Sequence, residues 1–145
     1  MWPANYQELI KFPSYCEERQ AIIISSENKS KHIAVNKDRD IVRQIKIDGD
    51  ILPKNYIKER RADYLVLNEN KKTAFIIELK GSHVMSAISQ IKNTDRKLRT
   101  SLKDYTIFWR IVCSSRTTNL NNNEIKKLKK KFPLEVGHHV YEEKI

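Results

Sequence analysis

Asp63, Glu78 and Lys80 are the residues of this chain whose types and spacing could do chemistry together. Two carboxylates meeting at one point can hold a hard cation. Magnesium prefers oxygen ligands and is usually bound by one or two carboxylates, waters and a substrate phosphate oxygen. The carbonyl of Leu79, between Glu78 and Lys80, could serve as a further ligand. A cation held there would polarise a phosphodiester and acidify a bound water. The Lys80 ammonium could position that water, balance charge in the transition state or, with a lowered pKa, take the proton.

The elements around these residues must bring them together. Residues 62–67 and 73–81 are apolar runs separated by Asn68-Glu69-Asn70-Lys71-Lys72, a stretch rich in turn formers, so they predict a β-hairpin. Both runs are apolar on both faces, which predicts central, buried strands. Carboxylates at the ends of such strands need a partner or a metal. Side chains alternate along a strand, so Glu78 and Lys80 share a face. A loop centred on Glu69 and Asn70 sets Glu78 opposite Arg61. One centred on Asn70 and Lys71 sets it opposite Asp63. Either register puts Asp63, Glu78 and Lys80 on one face, whereas a one-residue slip separates them.

Asp63 followed by Glu78-Leu79-Lys80 at the end of the next strand resembles the PD-(D/E)xK nuclease superfamily, which includes restriction endonucleases, Holliday-junction resolvases and RecB-like nucleases. The resemblance covers residues 57–102 and, more loosely, the run at 105–113. It implies a restriction-endonuclease-like core, a mixed sheet flanked by helices, and a metal-dependent phosphodiesterase. Asp63 and Glu78 would bind Mg2+, or Mn2+, and Lys80 would assist the nucleophilic water. Ala62 stands where the family often has proline. The family's glutamate on the first helix has Glu17, Glu18 and Glu59 as candidates here.

Helical spacing of Val84, Ala87, Ile88, Ile91, Leu98 and Leu102 predicts a helix over 84–102, interrupted by Thr94 and Asp95 and capped by Ser82 or Ser86. Gln90 lies beside its apolar stripe, and several branches of the superfamily carry an active-site Gln on this helix. His83 could meet a phosphate or simply be solvated. Lys92, Arg96, Lys97, Arg99 and Lys103 line the polar side of this helix, and Arg110 and Arg116 follow. Ile125, Leu128 and Phe132 predict a second amphipathic helix over 124–132, with Lys126, Lys127 and Lys130 among its outward cations.

The charge balance agrees with a polyanionic partner. The chain has 145 residues, 28 Lys and Arg against 18 Asp and Glu, and a net charge of +10. Cations of this kind neutralise phosphates and release counterions. The length suits one domain, and 39% hydrophobic residues suit a packed core. No apolar run is long enough to span a membrane, and the start of the chain lacks the pattern of a signal peptide. Cys16 and Cys113 show no metal spacing, and Cys113 falls in an apolar run as a buried thiol, so a cytoplasmic location is expected. His138-His139 is too sparse a pair for a defined metal site.

The remaining pattern predicts a short helix over 5–12 ended by Pro13, strands at 20–26 and 32–36, and a strand over 41–47 in competition with a helix over 40–46. Gly49, Gly81 and Gly137 are expected in turns. Asp48 and Asp50 could add acid to the site or form an ordinary turn. The run at 105–113 after the long helix fits a crossover to a strand parallel to 76–80. Together these give an α/β or α+β domain, a central mixed β-sheet flanked by helices. The expected function is metal-dependent hydrolysis of phosphodiesters, in DNA first. The alternatives are a non-catalytic nucleic-acid-binding module and a subunit of a larger nuclease or defence complex. So short a core leaves little room for target recognition, which favours a homodimer or a larger protein partner.

Overall fold

The computed structural model describes residues 1–80, 83–114 and 123–145. The expectations for Gly81, Ser82 and Arg116 lie outside them. The chain forms an α+β fold of mixed sheet and helices. In order it runs α1 (Tyr6–Leu9), β1 (Ile22–Glu27), β2 (Ser30–Val35), β3 (Val42–Lys46), β4 (Tyr64–Asn68), β5 (Thr73–Lys80), α2 (Val84–Leu98), β6 (Thr106–Cys113), α3 (Asn123–Lys131), β7 (Leu134–His138) and β8 (Val140–Lys144).

The strands are ordered β1-β2-β8-β7-β6-β5-β4-β3. β3, β4 and β5 are antiparallel neighbours, and β6 and β7 add in parallel. β8 leaves this five-stranded half at a single pair, His138 opposite Val140, and runs parallel to β2 instead. The chain makes that change at His139, which has a φ of 63°. The result is a five-stranded and a three-stranded mixed sheet, joined through one sharp bend.

Strand alternation sorts the core into two layers. Leu65, Leu67, Ala74, Ile76, Trp109 and Ile111 face the helices and pack with Ala87, Ile88, Ile91 and Leu98 of α2. Val66, Phe75, Ile77, Leu79 and Val112 face the other way and meet Ile23 and Ala34 of the smaller sheet. This is why β4 and β5 are apolar on both faces: helices cover one and strands the other. Ile76 and Ile91 are fully buried, each stabilising the fold by roughly 1.5–3 kcal/mol.

The edge strands are covered. The Tyr15 amide donates to the Gln44 carbonyl at 2.8 Å and the Val42 amide to the Glu18 carbonyl at 2.7 Å. These bonds hold 42–46 extended, so the strand prevails over the competing helix. Gln44 in turn donates from Nε2 to the Ile24 carbonyl at 2.8 Å, so the first and last strands of the sheet order meet through one side chain.

Three expectations need correction. α1 is shorter than 5–12, and α2 ends at Leu98 rather than 102, although the Leu102 amide still bonds the Leu98 carbonyl at 2.9 Å and its side chain stays in the core. Gly137 is not in a turn. It lies inside β7, where an added Cβ would sit 2.7 Å from the Tyr141 Cβ. Its lack of a side chain is what lets β8 fold back so closely. Among the described residues no helix is long and apolar enough to cross a membrane.

Candidate functional site

The hairpin adopts the register centred on Asn70 and Lys71. Tyr64 pairs with Ile77, and the Asp63 amide donates to the Ile77 carbonyl at 3.1 Å. Asp63 therefore faces Glu78 directly. The turn fixes this register locally: Asn68 Oδ1 accepts the Lys71 amide at 3.0 Å, and Lys72 takes a φ of 55°.

Beyond this pair β4 has not yet begun, so β5 lacks a backbone partner there. Asp63 substitutes its side chain, with Oδ2 accepting the Leu79 amide at 2.8 Å. In an extended strand the amide and carbonyl of one residue leave by the same edge. The Leu79 carbonyl is thus directed to the edge where Asp63 stands. Lys80 is two residues beyond Glu78 on the same face, its Nζ 3.9 Å from Glu78 Oε2. The three motif residues are brought together on the helix side of the sheet.

Electrostatics in this corner are strained. Glu78 is 2% exposed. Burial first, and the facing Asp63 carboxylate second, push its carboxyl far above the ordinary range, and Lys80 only partly opposes them. Burial also lifts Asp63, to about 6, although the Leu79 amide works against it. Glu78 Oε1 is buried with no hydrogen-bond partner. An acceptor oxygen left bare beside a second carboxylate has the chemistry of half a cation site. Among the described residues no group of three or more His, Cys, Asp or Glu side chains could hold a metal by itself. The protein offers two carboxylates and a carbonyl, a donor set that suits Mg2+ completed by water and phosphate oxygens, not a protein cage.

α2 fixes the approach to Asp63. Thr94 Oγ1 accepts the Ala62 amide at 2.8 Å, Gln90 Nε2 donates to the Arg61 carbonyl at 3.2 Å, and Asn93 Nδ2 donates to the Arg60 carbonyl at 2.7 Å. Thr94 is thus a buried clamp, where the sequence pattern shows only an interruption. Asp95, the other interruption, is buried and accepts the Trp109 indole at 2.7 Å. Gln90 is tied to the Arg61 carbonyl, two residues before Asp63 in the chain, and its Oε1 is buried without a partner.

Two further acids act on the pair. Asp48 raises both carboxyls electrostatically, and Glu27 at the end of β1 raises Asp63. Asp48 is itself held by Arg61 at 3.0 Å. Glu27 has no local sequence signal, since it reaches the site only because the small sheet folds over the large one. The candidates for a first-helix glutamate do not arrive. Glu18 lies beside Val42, at the opposite end of β3, and Glu17 adjoins it in the chain. Glu59 accepts the Trp2 indole and sits 3.4 Å from Lys97. Asp50 accepts the Tyr15 hydroxyl at 2.5 Å and serves the turn.

The cationic residues divide into groups. Lys92, Arg96 and Arg99 rim a cleft of about 450 Å3 floored by Trp109 and Phe132, whose rings stack at 4.4 Å. They stand at i, i+4 and i+7, which puts them on one face of α2 and its C-cap. Lys97 is turned to Glu59, and Lys103 borders a separate pocket beside Tyr105. Lys126, Lys127 and Lys130 are exposed on α3. Arg110 is no surface cation: it is 8% exposed, bonds Glu143 at 2.8 and 3.0 Å, and lies against Phe75, Phe108 and Tyr141. His83 is the exposed N-cap of α2 and makes no side-chain cap bond; Ser86 is inside the helix. His138 lies in the same cross-sheet row as Lys80 and Cys113.

Comparisons with models of protein families, with curated proteins and with solved structures gave no match.

Proposed function

We propose that this chain is a magnesium-dependent nuclease of the PD-(D/E)xK type, hydrolysing phosphodiester bonds in DNA. The observation that carries the reading is the direct cross-strand opposition of Asp63 and Glu78, with Glu78 Oε1 buried and unpartnered and Lys80 on the same face. When bound, the cation would polarise the scissile phosphate and acidify a water. Asp63, Glu78 and the Leu79 carbonyl would hold it. Lys80 would donate to the attacking water or to a phosphate oxygen, where its charge counts most as negative charge develops. Gln90, anchored at Arg61, would keep the Asp63 segment in place. Lys92, Arg96, Arg99, Lys126, Lys127 and Lys130 would follow the backbone of a bound strand, consistent with the +10 charge. Cys16 and Cys113 are both thiols, which suits a cytoplasmic protein. A second copy of the chain or a larger partner would supply target recognition.

The second reading is a nucleic-acid-binding module in which Lys80 merely neutralises Glu78. The 3.9 Å contact favours it. Incubation of circular and linear DNA with the protein in magnesium, manganese or EDTA separates the two. The nuclease reading expects cutting in either metal and none in EDTA. Binding without cutting in any metal would leave the module reading.

A further inference from the structure

The loop from Pro53 to Arg60 is stapled at its base and bare at its tip. The buried Arg61 guanidinium donates to the Pro53 carbonyl at 2.8 Å, to the Glu59 carbonyl at 3.0 Å and to the Tyr56 carbonyl. The same group grips Asp48 through Nε and Nη2 at 3.2 and 3.0 Å. On the other flank Arg60 donates to Ser86 Oγ at 3.3 Å, while its carbonyl accepts from Asn93. Seven hydrogen bonds are not needed for a slack connection, and they tie down both ends of this loop. Its tip nevertheless presents Ile57 at 88% exposure and Tyr56 at 44%. Lys54, Lys58 and Arg60 flank them in the chain, all exposed. Lys54 reaches Asp48 at 3.6 Å, and Asp48 acts electrostatically on both site carboxyls. The loop's far end runs into Asp63 through Arg61 and Ala62, and its near end is tied to Asp48, whose amide bonds the Asp63 carbonyl at 3.3 Å.

One exposed apolar side chain is ordinary. An isoleucine and a tyrosine exposed together on a stapled loop that carries three exposed cations and leads into a candidate phosphodiester site are a constellation with a matching partner. Apolar wedges enter base steps and unstack them, and bases stack on aromatic rings. We propose that Ile57, with Tyr56 beside it, is a wedge that enters the base stack of duplex DNA next to the cutting site, while Lys54, Lys58 and Arg60 seat the loop on the flanking phosphates. The choice of duplex DNA rests on the nuclease reading. The wedge gives the protein a preference for sites that open cheaply, such as mismatches and junctions, without any contact to base edges.

The test needs no cleavage. The full chain and its Ile57→Ser variant are titrated in EDTA onto duplexes carrying 2-aminopurine, one perfectly paired and one with a mismatch beside the probe. Ile57 is exposed, so the variant should melt at the wild-type temperature. The wild type should raise the probe's fluorescence on binding. The variant should bind without that rise and lose roughly ten- to a hundredfold in affinity for the mismatched duplex, but much less for the perfect one, where opening the stack offsets most of the gain. An equal rise in both proteins, or none in the wild type, would overturn the proposal. So would a loss of self-association in the variant with DNA binding unchanged, which would make the tip a contact between copies of the chain. A protein that lifts the signal yet never cuts in metal would retain the wedge and remove the hydrolytic reading. One that cuts while its signal ignores Ile57 would do the reverse.

Discussion

Replacing Glu78 by glutamine should make the protein more stable at neutral pH, although it removes a residue of the candidate site. Glu78 is 2% exposed and faces Asp63, so its carboxyl keeps its proton far above the ordinary carboxylate range. The unfolded chain releases that proton in the ordinary range. Between the two, the native state binds more protons than the unfolded one, and native stability falls as pH rises. One proton corresponds to about 1.4 kcal/mol per pH unit, so over the two units from pH 5 to 7 the wild type should lose roughly 2–3 kcal/mol relative to Glu78→Gln. For a domain of this size that is a relative shift of about 5–10 °C in melting temperature. Asp63, raised to about 6, adds the same sign of dependence below that pH in both proteins. Carboxyls held low, such as Glu143 beside His32 and Arg110, act oppositely but are also common to both. Thermal melts of the two proteins at pH 5, 6, 7 and 8 isolate Glu78. Parallel curves of melting temperature against pH would refute the claim that this carboxyl is held protonated by burial and Asp63.

Other outcomes follow from the same geometry. Magnesium or manganese must displace the Glu78 proton, so either ion should raise the wild-type melting temperature more at pH 8 than at pH 6 and have little effect on Asp63→Asn. Thr94→Val strands the buried Ala62 amide and should cost about 1–3 kcal/mol in urea unfolding. Gly137→Ala drives a methyl against Tyr141 and should cost about 1–3 kcal/mol, with non-additive recovery in the double variant with Tyr141→Ala. Neutralising Lys126 and Lys127 should leave stability within about 0.5 kcal/mol. It should also flatten the slope of log DNA affinity against log salt by roughly 0.9 per lost phosphate contact; an unchanged slope would make α3 a merely solvated face.

What the sequence makes legible here is local. The apolar runs 62–67 and 73–81 on either side of a turn-forming stretch place the hairpin, and its turn residues narrow the register to two choices, both of which unite Asp63, Glu78 and Lys80. Helical spacing places α2 and α3. The rest depends on partners distant in the chain. Thr94 and Asp95 look like flaws in an apolar stripe until Ala62 and Trp109 arrive to bond them. Arg110 looks like a surface cation until Glu143 and three rings enclose it. Gly137 looks like a turn because nothing nearby in sequence announces Tyr141. Glu27 acts on Asp63 from the end of a strand distant in the sequence, which no local pattern encodes, whereas Asp48 stands beside Asp63 where β3 pairs with β4, as its sequence position allowed.

The most direct test of the central claim is a time course of plasmid cleavage in magnesium for wild type, Asp63→Asn and Lys80→Ala, with DNA affinity measured in EDTA on the same preparations. Affinity comes from many phosphate contacts, whereas Lys80 acts mainly as charge develops at one phosphate. The expected result is metal-dependent cutting by the wild type and a loss of orders of magnitude in both variants, with affinity nearly unchanged. Cutting that survives in Asp63→Asn and Lys80→Ala, or affinity that falls in step with it, would contradict the assignment of hydrolysis to this pair of strands.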